Sequence, residues 1–413
     1  MNDKQFDIVV FGATSFVGQI LCRYLLERYG VGREVTWAIA GRSEAKLVNL
    51  KTDLGQGAAD LDIVIADASN EPSLKAMCQQ TRVVISTVGP YALYGEPLVK
   101  TAVSEGIDYC DLTGEVQWIN KMIQRYEAQA KITGARIVHC CGFDSIPSDM
   151  GVYFLQQQAK HQFGTACPTV KMRVKAAKGE FSGGTVASIM NVAKEAGSDP
   201  KLRKELANPY SLCPPDFRPT RRQHNVKSAE FDEDYGAWTA PFVMGAINTR
   251  IVHRSNALQG AAYGQEFGYD EAMLTGKGLK GRAAALGIAG AMGGFFVASA
   301  IKPSRWALEK FVLPKPGEGP SHKAQEQGFF DLRFVGMSPK GELIRAKVTG
   351  DRDPGYGSTG KMLGEAAMCL AFDIDKTERQ PGGFWTPASL FGQKAIDRLI
   401  ANAGLRFELL EIR

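Results

Sequence analysis

The feature that most constrains the fold is a regular alternation of short apolar runs with amphipathic stretches through the first third of the chain. The runs have the length and composition of β-strands, and the stretches between them have helical periodicity. Strands joined by helices cross over right-handed into a parallel sheet, and six of them complete two mononucleotide-binding halves. The sequence therefore predicts an α/β fold with a doubly wound parallel-sheet (Rossmann) domain. The predicted strands are residues 7–11, 35–40, 62–66, 82–86, 108–111 and 136–140.

The rhythm changes after Pro147, and 413 residues are too many for one ordinary core. An alternating run at residues 169–177 predicts a strand, and residues 328–337 and 342–350 flank a turn, which predicts an antiparallel hairpin. We therefore expect a second, mixed α/β (α+β) domain. The predicted organisation is a Rossmann domain at 1–146, a substrate and dimerisation domain at 147–350, and C-terminal helices at 351–413 that pack between the two domains or back on them.

Charge and cysteine usage exclude several classes of function. The 49 basic and 44 acidic side chains are dispersed along the chain, without the dense basic stripe that phosphate backbones require, so no nucleic-acid partner is expected. The eight cysteines include no CxxC pair, which argues against a metal site and a disulfide framework. The amino terminus shows no leader pattern, so we expect a cytoplasmic protein.

The first strand runs into a glycine-containing turn and then a helix, the order that a pyrophosphate-binding loop requires. Gly12 permits the tight turn and Gly18 lets the helix lie close to the strand. Ser15 stands where the fingerprint has its middle glycine, and its hydroxyl could donate to a phosphate oxygen. A plain tight turn with a closely packed helix is the alternative. The predicted loop comprises Gly12, Ala13, Thr14, Ser15, Phe16, Val17 and Gly18.

The end of the second strand indicates which dinucleotide is bound. An NAD-selective site places an acidic residue there for the ribose hydroxyls, and this sequence has none. A guanidinium and a hydroxyl stand there instead and suit a 2′-phosphate, so NADP(H) is the predicted cofactor. A solvated surface arginine is the alternative interpretation. The predicted contacts at this strand end are Ala40, Gly41, Arg42, Ser43 and Lys46.

Two further strand ends carry candidate cofactor contacts. Asp67 follows the third strand and could accept from the adenine amino group, although a helix N-cap explains it equally well. The fourth strand ends beside the switch point, where the nicotinamide half should lie, and a simple strand-ending turn is the alternative there. The candidates at this end are Thr87, Val88, Gly89, Pro90 and Tyr91.

Several motifs together carry a family resemblance. They are TVGPY at 87–91, DYCDLTGE at 108–115, CGFDSIPSDMG at 141–151, GDRDPGYGSTGKM at 350–362 and GGFWTPA at 382–388. With them the chain resembles the saccharopine dehydrogenase-like oxidoreductases, most of all the branch of trans-acting enoyl reductases. The family's GATGF loop corresponds to residues 12–16, with Ser15 as the departure, and its AGR corresponds to residues 40–42. The resemblance implies an NADPH-dependent oxidoreductase that reduces the C=C bond of a lipid-like or polyketide-like enoyl substrate.

The implied reaction needs a group that protonates the substrate or polarises its carbonyl. Tyr91 lies beside the expected nicotinamide, and Asp144 and Ser145 follow the sixth strand at the same edge of the sheet. These three residues are the catalytic candidates. Helix capping ahead of Pro147 is the alternative for Asp144 and Ser145. His139 lies within an apolar strand and is interpreted as a core residue.

Two other functions remain open at this point. One is a non-catalytic NADP-binding scaffold or sensor at a membrane surface, which would need no proton donor. The other is a saccharopine-type amino-acid dehydrogenase, which would need fixed cationic groups for the substrate carboxylates. Arg173, Arg250 and Arg254 are the arginines in question, and the sequence does not place them.

Residues 283–301 contain no charged side chain and are bracketed by basic residues. Their length could just span a bilayer, but alanine and glycine dominate, which disfavours a span. A buried helix, a homodimer contact and a peripheral membrane contact at the inner face of the membrane are the remaining interpretations.

Overall fold

The computed structural model describes residues 4–179, 183–311, 319, 321–376 and 381–413. They form two compact units. The amino-terminal unit comprises residues 1–144, 317–319 and 355–404, and the second unit comprises 145–316, 320–354 and 405–413. The first division thus lies two residues before the predicted boundary at 146. The C-terminal residues from 351 onward are divided between the units.

The described residues form fourteen β-strands and sixteen α-helices. The strands are β1 (Phe6–Phe11), β2 (Trp37–Gly41), β3 (Asp62–Ile65), β4 (Thr81–Ser86), β5 (Asp108–Asp111), β6 (Arg136–Val138), β7 (Thr169–Lys178), β8 (Glu230–Asp232), β9 (Ala237–Pro241), β10 (Gly268–Gly276), β11 (Phe329–Met337), β12 (Leu343–Gly350), β13 (Gly383–Trp385) and β14 (Leu405–Ile412). The helices are α1 (Phe16–Tyr29), α2 (Glu44–Leu54), α3 (Glu71–Gln79), α4 (Tyr91–Tyr94), α5 (Glu96–Glu105), α6 (Val116–Thr133), α7 (Ile146–Phe163), α8 (Gly183–Ser198), α9 (Pro200–Ala207), α10 (Gly245–Leu258), α11 (Gly278–Ala300), α12 (Lys302–Phe311), α13 (His322–Glu326), α14 (Thr359–Met368), α15 (Pro387–Phe391) and α16 (Gln393–Asn402).

The amino-terminal unit contains a seven-stranded sheet in the order β13-β6-β5-β4-β1-β2-β3, and every recorded pairing in it is parallel. The order 3-2-1-4-5-6 is that of a doubly wound dinucleotide-binding fold. The central strand β1 is buried, as a parallel strand covered by helices on both faces must be. The predicted fold class is confirmed. The seventh strand, β13, comes from the GGFWTPA segment and was not predicted, because three residues are too few to show alternation.

The second unit is built on a mixed seven-stranded sheet in the order β14-β12-β11-β7-β10-β9-β8. Only the β7 and β10 pairing is parallel among the recorded ladders of this sheet. The predicted strand at 169–177 and the predicted hairpin are present as β7, β11 and β12. Strand β12 alternates between buried and half-buried residues along its length. The final strand β14 pairs with β12 and was not predicted.

Helix α11 corrects one interpretation of the apolar segment. By length and composition alone, residues Gly278–Ser299 could cross a membrane, but only 11% of an apolar 18-residue stretch of this helix is buried within the protein. The interpretation of this segment as a buried helix is therefore wrong. The dimer and membrane-surface interpretations remain predictions.

A buried carboxylate ties the C-terminal helices to the amino-terminal unit. Glu365 on α14 is 1% exposed, and its Oε1 accepts from the hydroxyls of Tyr24 and Tyr29, each at 2.6 Å. Its Oε2 accepts from Arg398 at 3.2 Å and from Asn402 at 3.1 Å. A buried charge is tolerated when it is paired and hydrogen-bonded in this way. Residues more than 300 positions apart are thereby joined in one core.

Replacing this carboxylate should destabilise the amino-terminal unit. We expect Glu365→Gln to lower its free energy of unfolding by roughly 3–5 kcal/mol, because Arg398 and two tyrosine hydroxyls lose a charged acceptor. The matched control Glu71→Gln removes an exposed ion pair with Lys100 and should cost about 1 kcal/mol or less. Urea unfolding followed by circular dichroism measures both values. Equal losses for the two variants would contradict this account.

Candidate functional site

The turn after β1 has the geometry of a phosphate-binding loop. Gly12 has a φ of +85°, and a Cβ there would lie 2.7 Å from Val88 Cγ2 and 2.8 Å from Thr87 Oγ1. A Cβ at Gly18 would lie 2.4 Å from the carbonyl oxygen of Gly12. Both positions therefore require glycine, and the second lets α1 approach the strand closely.

Ser15 has a structural role that the sequence did not indicate. It is the N-cap of α1, and its Oγ accepts from the Gly18 N–H at 3.0 Å. The same hydroxyl donates to Thr87 Oγ1 at 2.9 Å, and the Thr87 hydroxyl donates to the Gly12 carbonyl at 2.8 Å. The Ser15 proton is thus engaged within the fold rather than directed at a phosphate, and Thr87 braces the loop from the neighbouring strand.

Some backbone N–H groups of the loop donate to backbone carbonyls, and others lie in the first turn of α1. The N–H groups of Gly12 and Ala13 both donate to the Ala40 carbonyl, at 2.9 and 3.2 Å, and that of Ser15 donates to Gly12. The N–H groups of Phe16 and Val17 lie in the first turn of α1, where no acceptor exists inside the helix. This turn is the positive end of the helix and fits a diphosphate.

The end of β2 presents a guanidinium rather than a carboxylate. Arg42 is exposed, and its guanidinium forms no ion pair with an Asp or Glu side chain of the described residues. Ser43 caps α2 by accepting from the Lys46 N–H at 3.4 Å, and the Lys46 side chain is exposed. The arrangement fits a 2′-phosphate held by Arg42.

Asp67, after β3, shapes a turn. Its Oδ1 accepts from the Ser69 N–H at 2.8 Å and from the Ser69 hydroxyl at 2.7 Å. These hydrogen bonds, with a smaller contribution from the charge of Arg42, lower the pKa of Asp67. The N-cap of α3 is Asn70, so the alternative interpretation of Asp67 as a helix cap is wrong. A contact of Asp67 with adenine stays a prediction.

Tyr91, at the end of β4, is 5% exposed. Its hydroxyl donates to the Ser86 carbonyl at 2.9 Å and accepts from the Leu112 N–H at 3.3 Å. Burial, aided by the Asp111 charge, raises the pKa of this phenol well above its usual value. Tyr91 is therefore a brace between two loops rather than the proton donor that the sequence suggested.

Glu115 positions the segment that begins at Tyr91. The buried carboxylate accepts from the Tyr91 N–H at 2.8 Å and from the Ala92 N–H at 3.0 Å, which holds the start of the short helix α4. The segment Thr87, Val88, Gly89 and Pro90 thus lies between β4 and an anchored turn. No local pattern indicates this role, because Glu115 and Tyr91 are 24 residues apart.

Asp111 joins the loops that follow β5 and β6. Its fully buried carboxylate lies 2.7 Å from His139 Nδ1 and accepts from the Tyr109 hydroxyl at 2.9 Å and the Thr113 N–H at 3.0 Å. It also accepts from the Cys140 N–H at 3.3 Å. His139 is buried in this cluster, which agrees with its interpretation as a core residue.

Asp144 closes the loop after β6 at the carboxyl edge of the sheet. It is half-buried, and the preceding Phe143 N–H donates to Thr359 Oγ1 at 3.0 Å, which fixes the loop against α14. Burial, with a smaller contribution from the Asp111 carboxylate, raises the pKa of Asp144 to about 7. A carboxyl group that is partly protonated at neutral pH can act as a general acid. The N-cap of α7 is Ser145, so Asp144 does not cap that helix.

Ser145 belongs to the second unit. It occupies the N-cap position of α7, but its hydroxyl donates to Asn248 Oδ1 at 3.0 Å instead of capping. Asn248 Nδ2 donates to Glu271 Oε2 at 2.9 Å, and the Tyr269 hydroxyl donates to Glu271 Oε1 at 2.6 Å. Burial raises the pKa of Glu271 to about 7. Sequence reasoning missed this network, whose members lie on three separate elements.

No group of three or more His, Cys, Asp or Glu side chains among the described residues is arranged to hold a metal ion.

The candidate site consists of the loop after β1 and the ends of β2, β3, β4 and β6. All of these lie at one edge of the parallel sheet, where open α/β folds bind nucleotides.

Comparison with known proteins identifies the domain that carries the candidate site. Residues 8–138 match the model of the saccharopine dehydrogenase NADP binding domain. A putative trans-acting enoyl reductase of Mycobacterium tuberculosis is 40% identical over 412 residues, which cover 96% of each chain. A trans-acting enoyl reductase of Mycobacterium ulcerans is 37% identical over 407 residues, again 96% of each. The chain belongs to the saccharopine dehydrogenase-like oxidoreductase family.

A solved structure extends the likeness to the whole fold. Apo saccharopine dehydrogenase (L-Glu forming) from Saccharomyces cerevisiae superimposes with a TM-score of 0.54, covers 98% of this chain and 100% of its own, and is 11% identical. At that identity the match shows a shared two-domain fold. The NADP-binding domain identifies the cofactor as NADP(H), and this family member is an NADP-dependent oxidoreductase.

The role assigned to Arg42 predicts selective loss of NADPH binding. We expect Arg42→Ala to raise the Kd for NADPH by roughly tenfold to a hundredfold, because the charged hydrogen bonds to the 2′-phosphate are lost. The Kd for NADH, which lacks that phosphate, should stay nearly unchanged. The control is Arg33→Ala, an exposed arginine ahead of β2 at the opposite end of the strand. Fluorescence titration measures both constants. Equal losses for the two nucleotides would contradict the assignment.

Proposed function

We propose that this oxidoreductase reduces the C=C bond of an enoyl thioester whose acyl chain is lipid-like or polyketide-like. The observation that carries the proposal is the end-to-end similarity, at 37–40% identity, to proteins named trans-acting enoyl reductases. The overall change is a hydride to the β-carbon and a proton to the α-carbon, so that one NADPH and one proton are consumed for each double bond.

The residues that would hold the cofactor lie at the edge of the parallel sheet. The N–H groups of the first turn of α1 would bind the diphosphate, and Arg42, Ser43 and Lys46 would surround the 2′-phosphate. Bound NADPH supplies the hydride equivalent for the reduction. The protein supplies orientation, charge complementarity and the proton.

Asp144 is the proposed proton donor. Its carboxyl follows β6 at the same sheet edge, and its pKa of about 7 keeps a large share of the group protonated at neutral pH. The O–H bond of the acid breaks as a C–H bond forms at the substrate α-carbon, and the carboxylate then takes a proton from water. Brønsted behaviour makes an acid of this pKa effective near the working pH.

The positions of three arginines argue against an amino-acid dehydrogenase. Arg173 is 3% exposed and is paired with Asp232 and Asp270, each at 2.6 Å. The Arg250 guanidinium donates to backbone carbonyls of Ala246 and Leu206, and Arg254 donates to that of Leu212. These guanidiniums are engaged within the second unit, so they do not supply the fixed cations that two substrate carboxylates require.

The proton-donor role predicts a specific pH dependence. The reduction rate should be high below pH 7 and fall as pH rises through about 7, because the raised pKa means that Asp144 loses its proton there. Asp144→Asn should lower kcat by roughly a hundredfold or more and abolish this limb of the profile, with the Kd for NADPH unchanged. The control Asp53→Asn alters an exposed carboxylate on α2 and should leave the profile intact. A retained limb in Asp144→Asn would exclude Asp144 as the donor.

A substrate panel tests the reaction itself. Protein and NADPH are incubated with enoyl thioesters of increasing chain length, with keto acids plus lysine, and with buffer alone, and cofactor oxidation is followed by absorbance. We expect oxidation with the enoyl thioesters and a saturated acyl product by mass spectrometry. Turnover only with keto acids and lysine would establish the amino-acid dehydrogenase, and tight NADPH binding without any turnover would favour the scaffold.

A further inference from the structure

After Arg282, the outer face of α11, the longest helix of the second unit, carries no charged residue. On its inner side, α11 packs against β9 and α8, and its buried and half-buried residues recur at helical spacing as Gly281, Ala285, Ile288, Met292, Phe295 and Ser299. On the opposite side, Leu279 is 83% exposed, Val297 is 61% exposed, and Leu286 lies between them. A helix on the surface of a water-soluble protein normally carries polar residues on its outer face.

The following helix, α12, which contacts α11, carries an exposed aromatic side chain. Trp306 on α12 is 57% exposed, and the Lys310 ammonium lies 4.8 Å from the centre of its ring. Ile301, between the two helices, is also exposed. We call the exposed apolar residues Leu279, Leu286, Phe296, Val297, Ile301 and Trp306 the α11–α12 surface. Tryptophan and phenylalanine beside lysine are typical of segments that lie at a membrane interface.

Basic residues flank the apolar stretch of α11 on both sides. Residues 272–308 contain five basic residues and no Asp or Glu. Lys277 and Lys280 are exposed at the start of α11, and Arg282 stacks on the Trp238 ring at 5.2 Å. These five basic residues equal the formal net charge of +5 of the whole protein, so the rest of the chain carries equal numbers of basic and acidic residues. Such a pattern complements the headgroups of anionic lipids.

We propose that the α11–α12 surface binds the face of an anionic lipid bilayer, with the apolar side chains at the headgroup boundary and the basic residues on the headgroups. The helix does not cross the membrane, because its inner side is packed on its own sheet. A symmetric dimer through the same face would bring like charges together at both ends, which is unfavourable. The proposal does not depend on enoyl reduction, and its test measures binding alone.

Flotation of the full-length protein with vesicles tests the proposal. Vesicles of phosphatidylcholine alone are compared with vesicles of phosphatidylcholine and phosphatidylglycerol, at low and high salt. We expect the protein to float with the anionic vesicles, to float much less with the neutral ones, and to be released by salt, because screening weakens the electrostatic attraction. Absence of flotation with anionic vesicles overturns the proposal. Retention after a high-salt and alkaline carbonate wash also overturns it, since that result indicates a spanning segment.

Two sets of variants test the two components of the surface separately. Lys277→Glu with Lys280→Glu should lower the partition coefficient by about tenfold or more, because each basic residue near an anionic surface contributes to binding. The matched control reverses two exposed lysines elsewhere in the same unit, Lys201→Glu with Lys227→Glu, and should change it little. Equal effects of the two pairs overturn the proposal.

For the apolar component, Val297→Ser with Trp306→Ser should also lower partitioning by about tenfold, whereas Ile132→Ser, at an exposed position of the amino-terminal unit, should not. Unchanged NADPH affinity and circular dichroism show that each variant is folded. Sedimentation velocity without lipid measures whether the protein is a dimer. A dimer that the Val297 and Trp306 substitutions dissociate, together with no vesicle binding, would assign the surface to a second copy of the chain and overturn the proposal.

Discussion

A single buried carboxylate, that of Asp111, organises the edge of the parallel sheet on which the chemistry depends. A charge without contact with water must be fully hydrogen-bonded, and Asp111 meets this requirement by binding groups from the loops after β5 and β6. Those loops are thereby held together. The same charge contributes to the raised pKa of Asp144, so the interaction that shapes the edge also tunes the carboxyl proposed to supply the proton.

The cofactor loop depends on a second set of nonlocal contacts. Thr87, from the end of β4, receives the Ser15 proton and donates its own to the Gly12 carbonyl, so the loop after β1 is braced by its neighbouring strand. Ser15, which stands where the fingerprint has its middle glycine, thus caps α1 and hydrogen-bonds to Thr87. The N–H groups that remain for an anion are those of the first turn of α1.

The sequence predicted the six strands of the doubly wound sheet because buried parallel strands are short apolar runs separated by helices, and both signals are local. It also predicted that the site lies at the carboxyl ends of those strands, since these ends meet at one edge whatever the loops contain. Strands β8, β9 and β10 of the second unit were not predicted, and neither were β13 and β14. The last two pair with β6 and β12 respectively, which are distant in the sequence.

The sequence by itself determined the fold class and the preference for NADP(H), and it predicted the edge of the sheet at which the nucleotide binds. Periodicity, glycine spacing and an arginine in place of an acidic residue at the end of β2 are all local signals. Only the tertiary structure decided which polar side chains are available for chemistry. Tyr91 and Arg173 are buried and engaged by partners, Asp144 has a raised pKa, and α11 exposes an apolar face. Burial and hydrogen bonding depend on neighbours that folding brings from far along the chain, and no local pattern records them.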